Sequence, residues 1–546
     1  MAEESGTTAR PRLRENPWVV LVSLCLGFFM ILLDTTIVNV AIPSMIDGLG
    51  ATLDQILWVV NAYVLVYAVL LITAGRLGDM WGPKPLFLVG MALFTVASVA
   101  CGLADSPAQL ITARVAQGVG GALLTPQSLS IITQIFPPDR RGAAFGLWGS
   151  VAGLAAVTGP TLGGFIVTRW GWEWIFFVNL PIGILSLALA VAVVPDLRPQ
   201  RRHRLDLVGT ALATAALFFI TFGLIEGEQH DWGRIWGGIT IPELIGAGVV
   251  LLVVFLVVQY RAKGEPLVPF ALLRDRNFSL MMFVGGAMAF GLLGLFVPFL
   301  IYLQSVLGLS AMQAGFTVAP MALTSIFVSP FAGRLADRVG GKYVLMTGLS
   351  FFATGTGYLI WTAQVDSGRW TFLPGLITAG VGMGFTFPPM TTLAMRDVVP
   401  HLAGAASGVL NTTRQLGGVI GSAAVGALLQ AQLSAHLRTA AERHAAGLPA
   451  PYRDDFVAAF SRAATGGLKV GRGQTGAALP DDLPAEVGRV AATTFHEGFV
   501  GAMRPSLALA IGVLATAALS CVFIRGRRPA PVTPASVRAG QSGVSG

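Results

Sequence analysis

Long apolar runs separated by short polar turns fill most of this chain. Fourteen of them are long enough to cross a bilayer as helices: 17–43, 53–74, 85–104, 108–132, 142–168, 173–194, 206–226, 239–259, 279–303, 313–332, 343–363, 371–395, 403–430 and 503–524. A helix needs about 20 apolar residues to span a hydrocarbon core about 30 Å thick. The pattern predicts an all-α polytopic membrane protein.

The polar turns carry a repeat. GRLGDMWGPK at 75–84 returns as GRLADRVGGK at 333–342, with six of ten positions identical: Gly75/Gly333, Arg76/Arg334, Leu77/Leu335, Asp79/Asp337, Gly82/Gly340 and Lys84/Lys342. GAAFG at 142–146 is echoed by GAASG at 404–408. The offsets, 258 and 262 residues, are nearly equal, as a duplicated half would make them. The seventh and eighth runs with their loops occupy 57 of those residues (206–262), which leaves 201 for a six-helix half. The expected architecture is therefore two six-helix bundles plus two inserted helices. Its parts are an N-terminal tail (1–16), a first bundle (17–195), a basic loop with the inserted helices and a connecting loop (196–277), and five helices of the second bundle (278–430). A long loop (431–502), a last helix (503–524) and a tail (525–546) follow. Short surface helices are expected at 434–446 and 454–464, and the Pro/Ser/Gly-rich end of the tail is expected to lack order. Repeated halves of membrane helices are built around a substrate path at the repeat interface.

Composition agrees with this. Of 546 residues, 54% are hydrophobic and only 12% charged, against about 25% charged in soluble domains. The net charge is +8, and its distribution is an orientation signal. With both termini placed in the cytoplasm, 23 Lys and Arg fall on the inner side and only Arg169, Arg234 and Arg369 in short outer loops. A nucleic-acid footprint would need a clustered basic domain, and no such partner is expected. Cys25, Cys101 and Cys521 all sit inside apolar runs, so neither a disulfide framework nor a metal site is expected. The first run is too long for a signal-peptide core.

Ionisable residues inside apolar runs are costly and mark function. Three stand out: Asp34, Arg114 and Arg414. Asp34 and Arg114 lie at similar depths, about 13 and 9 Å from the outer ends of their helices at 1.5 Å per residue. They can meet if the helices adjoin. Desolvation and a neighbouring guanidinium act on such a carboxyl in opposite directions. The pair is thus either a proton-exchange site or a static bond locking two helices. Arg414 lies about 17 Å into its helix with no carboxylate at comparable depth in the second half. An anionic part of a substrate, carbonyls and water, or a gating role all remain open for it. Asn39, Asn61, Gln117, Gln127, Gln304 and Asn411 are cavity candidates, because unpaired amides are unfavourable against lipid. Tyr63 is a further candidate, since ring faces attract organic cations. Gly159, Pro160, Gly163 and Gly164 form a small-residue stretch suited to a rocking seam. The phosphate-binding pattern G-x-x-x-x-G-K-[ST] does not occur. No nucleophile, dyad or metal cluster suggests an enzyme.

With these residues in place, the chain resembles the major facilitator superfamily and, within it, the fourteen-helix drug/proton antiporter family. The two GRL copies look like that superfamily's loop motif. LDTTIVNVAIP at 33–43 is similar to the first-helix motif of the fourteen-helix branch. The stretch 110–122, with Arg114, Gln117 and Gly118, resembles the fourth-helix motif tied to proton transfer. Gly159-Pro160 with Gly163-Gly164 resembles the fifth-helix antiporter motif, and WEWIFFVNLPIG at 172–183 a sixth-helix signature. The resemblance implies alternating access by two rocking bundles. Gly75, Asp79, Lys84, Gly333, Asp337 and Lys342 would act as conformational latches, with Asp34 and Arg114 as the coupling pair. It implies a monomeric plasma-membrane exporter of lipophilic, cationic or neutral organic compounds such as drugs or antibiotics, exchanged for protons without a cofactor. The alternative expectation is a proton-coupled or facilitative transporter of one polar metabolite.

Overall fold

The polar turns carry helix-start signals as well as charges. Asn16 accepts from the Trp18 amide, Thr52 from Gln55, Ser106 from Gln109, Thr240 from Glu243 and Ser310 from Gln313. Each satisfies an amide that a helix N-terminus leaves free. A computed structural model describes residues 16–138, 140–197, 206–230, 232–262, 266–463 and 485–525. The expected tails, the arginine cluster at 198–204 and the middle of the expected long loop lie outside the described residues, apart from Asn16 and Arg525.

The first half comprises α1 (Pro17–Leu49), α2 (Leu53–Trp81), α3 (Pro83–Gly102), α4 (Pro107–Ile135), α5 (Arg141–Trp170) and a sixth span interrupted at Val178 into α6 (Trp174–Phe177) and α7 (Asn179–Val193). The inserted pair, α8 (Leu207–Gln229) and α9 (Ile241–Arg261), is joined through a small antiparallel hairpin, β1 (Arg234–Trp236) with β2 (Ile239–Thr240). After a short α10 (Phe270–Arg274) the second half follows: α11 (Arg276–Ile301), α12 (Ala311–Val339), α13 (Gly341–Thr362), α14 (Leu373–Met395), α15 (Ala403–Ala445), α16 (Ala450–Ala463) and α17 (Ala485–Ser520).

Thirteen described segments are long and apolar enough to cross a membrane. The fourteenth, α4, has the length at 29 residues but carries Arg114, Gln117, Thr125, Gln127, Ser128, Ser130 and Thr133, all buried. A helix surrounded by other helices needs no apolar face for lipid.

Packing repeats with the sequence. In the first half α1 lies on α5 and α7, α3 on α4 and α7, and α2 on α4. In the second, α11 lies on α15 and α17, α13 on α14 and α17, and α12 on α14. The halves meet along two seams, α5 with α12 and α2 with α15. The inserted α8 packs beside the second seam, against both α2 and α15. There the rings of Trp58 and Phe222 lie 5.6 Å apart.

The segment expected as a loop over 431–502 is helical at both ends. The apolar run stops at 430, but α15 continues to Ala445, and α17 begins at Ala485 rather than near 503. At 43 residues, α15 is about 64 Å long, twice the hydrocarbon thickness. Polarity rises beyond 430 while helical periodicity persists: Leu429, Leu433, Leu437 and Ala441 stay buried, as do Val487, Ala491 and Phe495 on the facing helix. The expected helix at 434–446 is thus the end of α15, and that at 454–464 is α16, whose Phe456 and Phe460 are buried in the same continuous core.

Candidate functional site

The repeated motifs close one face of the molecule. Neither α5 nor α15 begins with a side-chain cap of its own. Each receives one from the opposite half. The Asp79 carboxylate accepts from the Gly404 and Ala405 amides at 2.8 Å each. That of Asp337 accepts from Gly142 and Ala143 at 3.1 Å each. A carboxylate at a helix N-terminus meets both free N–H groups and the positive end of the helix dipole. The glycines make this approach possible. A Cβ on Gly75 would strike the Gly404 carbonyl oxygen, and one on Gly333 that of Gly142. Gly82 and Gly340, which turn the chain into the following helix, hold φ at 94° and 89°, where a side chain is strained. The lysines tie each motif to its own half. Lys84 donates to the Val191 and Val194 carbonyls (3.2 and 2.5 Å), and Lys342 to that of Val522 (2.7 Å).

Deeper in the first half, five segments assemble a second constellation. Asp34 of α1 and Arg114 of α4, both fully buried, form a salt bridge and hydrogen bond. Gln117, one turn along α4, donates to Asp34 Oδ1 at 2.8 Å and accepts from Arg114 Nη1 at 2.8 Å. Arg114 Nε donates to the Val59 carbonyl of α2 (3.0 Å), and its guanidinium lies 4.2 Å over the Tyr63 ring. Asn179, at the start of α7, reaches Asp34 Oδ1 at 3.4 Å and Ser98 of α3 at 3.0 Å. A buried ion pair is held best when its remaining donors and acceptors are also engaged; here the amides engage Asp34 Oδ1 and Arg114 Nη1, while Arg114 Nη2 is buried without a partner.

The packing of α1 on α5 carries this site. Cβ atoms on Gly159 and Gly163 would collide with Thr36 and Ile37, just beyond Asp34. Gly164 faces Val40 and, across the halves, Met312 at ordinary contact distance. The Pro160 side chain lies outside the described residues.

Asp34, Arg114, Gln117 and Tyr63 thus come together, and the remaining candidates do not join them. Gln127 is buried against α2, donating to the Ala74 carbonyl at 2.8 Å. Asn411 bonds within its own helix to Ser407 (2.9 Å), and the exposed Asn39 to Thr35 (2.9 Å). Asn61 and Gln304 are half-buried. Arg414 lies apart, its guanidinium 4.9 Å over the Phe387 ring. Sequence reasoning missed Asn179 and Ser98. Their signal was a polar residue inside an apolar run, and Asn179 even lies within the sixth-helix signature.

A family model described as Major Facilitator Superfamily matches residues 24–422. The chain is 43% identical over 422 residues to an uncharacterized MFS-type transporter, Rv1250, of Mycobacterium tuberculosis, covering 77% of this chain and 72% of that protein. It is 34% identical to the multidrug resistance protein Stp of the same species, covering 93% of this chain and 91% of that one. Among solved structures, the proton:xylose symporter XylE superposes with a TM-score of 0.54 at 12% identity, over 74% of this chain and 87% of that one, a likeness of fold alone.

Proposed function

The chain belongs to the major facilitator superfamily, a multi-pass membrane transporter and not an enzyme, and from that premise we propose that it is a proton-coupled efflux antiporter for lipophilic organic compounds. The observation that carries this reading is the buried Asp34–Arg114 pair with its amides Gln117 and Asn179. An ionisable pair deep among membrane helices costs free energy that a purely mechanical contact does not require. A proton arriving at Asp34 cancels its charge and releases Arg114. The multidrug resistance protein, similar along nearly its whole length, supports drugs and antibiotics as the cargo class.

The motif-bearing face is cytoplasmic in this reading, with both termini, because the sequence pattern assigns 23 Lys and Arg to that side against three in the short opposite loops. The structure then has its cytoplasmic face latched. A proton enters from outside as cargo leaves, the latches part, and the proton is released inside as cargo binds. One chain in the plasma membrane carries the whole path, with the proton gradient as its energy source and no cofactor.

The test is proton flux in inverted membrane vesicles carrying a pH-sensitive dye. Adding a panel of lipophilic compounds should dissipate a preformed gradient, and Asp34→Asn should abolish that response while the protein remains folded in the membrane. An unchanged response in Asp34→Asn would overturn the assignment.

A further inference from the structure

We infer that Arg414 is the cargo-binding residue of the second half and that it selects lipophilic organic acids in their ionised form. This rests on the transport reading above and narrows its substrate class.

Other arginines in the spans find acceptors. Arg114 holds a carboxylate, an amide oxygen and a carbonyl. Arg141 donates to the Phe136 and Thr133 carbonyls at 3.1 and 2.7 Å, and Arg504 to that of Ala363 at 3.0 Å. Arg414 has neither a hydrogen bond nor an ion pair among the described residues, although it lies about 17 Å along α15 from its start. A guanidinium at that depth without an anion is costly. No compensating charge is close in sequence or space. Among the described residues α11, α13 and α14 contain no Asp or Glu, and Asp337 of α12 is engaged at the latch.

Its surroundings place it between the halves rather than against lipid. Its stem lies beside Gly285 of α11. Tyr67 of α2, in the other half, is within electrostatic reach. Phe387, under the guanidinium, has its Cβ beside Gly149 of α5, also in the other half. The side chain is only partly exposed. Its Cζ lies 4.9 Å from the Phe387 ring centroid, and its N–H groups have no hydrogen-bond partner among the described residues. A guanidinium is a rigid fork matching the two oxygens of a carboxylate. An organic cation would meet like charge here, so the cargo sign suggested by ring faces alone is reversed.

The experiment is equilibrium binding to the full-length protein in lipid nanodiscs, without any gradient, using 1-pyrenebutyrate and its uncharged amide, read by fluorescence anisotropy against empty discs. The wild type should bind the acid about tenfold or more tightly than the amide. Arg414→Gln should lose that factor for the acid and keep the affinity for the amide, which also reports that the variant is folded. Arg414→Lys, which keeps the charge but not the fork, should fall between. No acid preference in the wild type, or equal losses for acid and amide in Arg414→Gln, would overturn the inference. Proton flux is measured separately. Acid preference without any cargo-driven flux would remove the antiport reading and leave this site standing. Asp34-dependent flux without acid preference would do the reverse.

Discussion

The two halves are alike where they move against each other and unlike where they carry charge. Each donates an aspartate to cap a helix of the other, each brings a glycine against a glycine at that contact, and each ties its motif lysine to its own last span. The buried charges break the symmetry. The first half pairs Arg114 with Asp34, and the second presents Arg414 with no carboxylate. Rocking requires matched contacts on both seams, so duplication is retained there. An ionisable site in a membrane is expensive, and in the proposed antiport one proton site suffices for coupling. The second copy of the inner surface is therefore free to specialise toward cargo.

Removing the first half's distinguishing charge has the largest expected effect. Asp34→Asn should reduce cargo-driven proton flux to background, whereas neutralising Arg414 should leave the flux driven by uncharged cargo. The next effect tests the shared feature. Gly404→Val places a Cβ against the Gly75 carbonyl and the Asp79 carboxylate. Overpacking of this kind costs about 1–3 kcal/mol. The latched population should fall accordingly, read as a longer distance between spin labels at Pro85 and Asp397 on the motif face. An unchanged distance distribution would show that the glycine contact does not set the equilibrium.

The latches also differ in degree. The amides reach Asp79 at 2.8 Å and Asp337 at 3.1 Å. Hydrogen bonds to charged groups contribute about 1.5–3 kcal/mol. Asp79→Asn should therefore open the motif face more than Asp337→Asn by the same spin-label measurement. The reverse order would mean that the second seam bears the closed state.

How much of this was legible follows from what each feature depends on. The spans and the duplication rest on local pattern and direct identity, and both were readable. Asp34 and Arg114 stood out because charge within an apolar run is rare. Other features depend on tertiary context. Gln127 and Asn411 looked like Gln117, yet one bonds a neighbouring helix and the other its own. A polar residue in an apolar run does not reveal which. The GRL and GAA motifs were each visible, but their meeting across the halves, Gly75 on Gly404 and Gly333 on Gly142, is a property of the assembled bundle. The continuation of α15 past 430 was hidden because the apolar run ends there, while the helix continues on periodicity alone.

The smallest expected effect decides what kind of object the Asp34 cluster is. Gln117 bonds both members of the pair at 2.8 Å, whereas Asn179 reaches Asp34 at 3.4 Å and also has Ser98 as a partner. If the cluster only locked α1 onto α4, Gln117→Ala and Asn179→Ala would lower thermal stability and transport in proportion. If it is the proton site, the amides act by orienting a carboxylate that must change state. Transport should then fall further than stability does. At 3.4 Å the Asn179 contact is long and contributes no more than an ordinary hydrogen bond, about 0.5–1.5 kcal/mol, so Asn179→Ala should slow cargo-driven proton flux about two- to tenfold, with Gln117→Ala, whose shorter bonds join charged groups, at or beyond the upper end. Melting temperature measured on the same detergent-solubilised variants supplies the comparison, and flux losses that merely track it would return the pair to a static role.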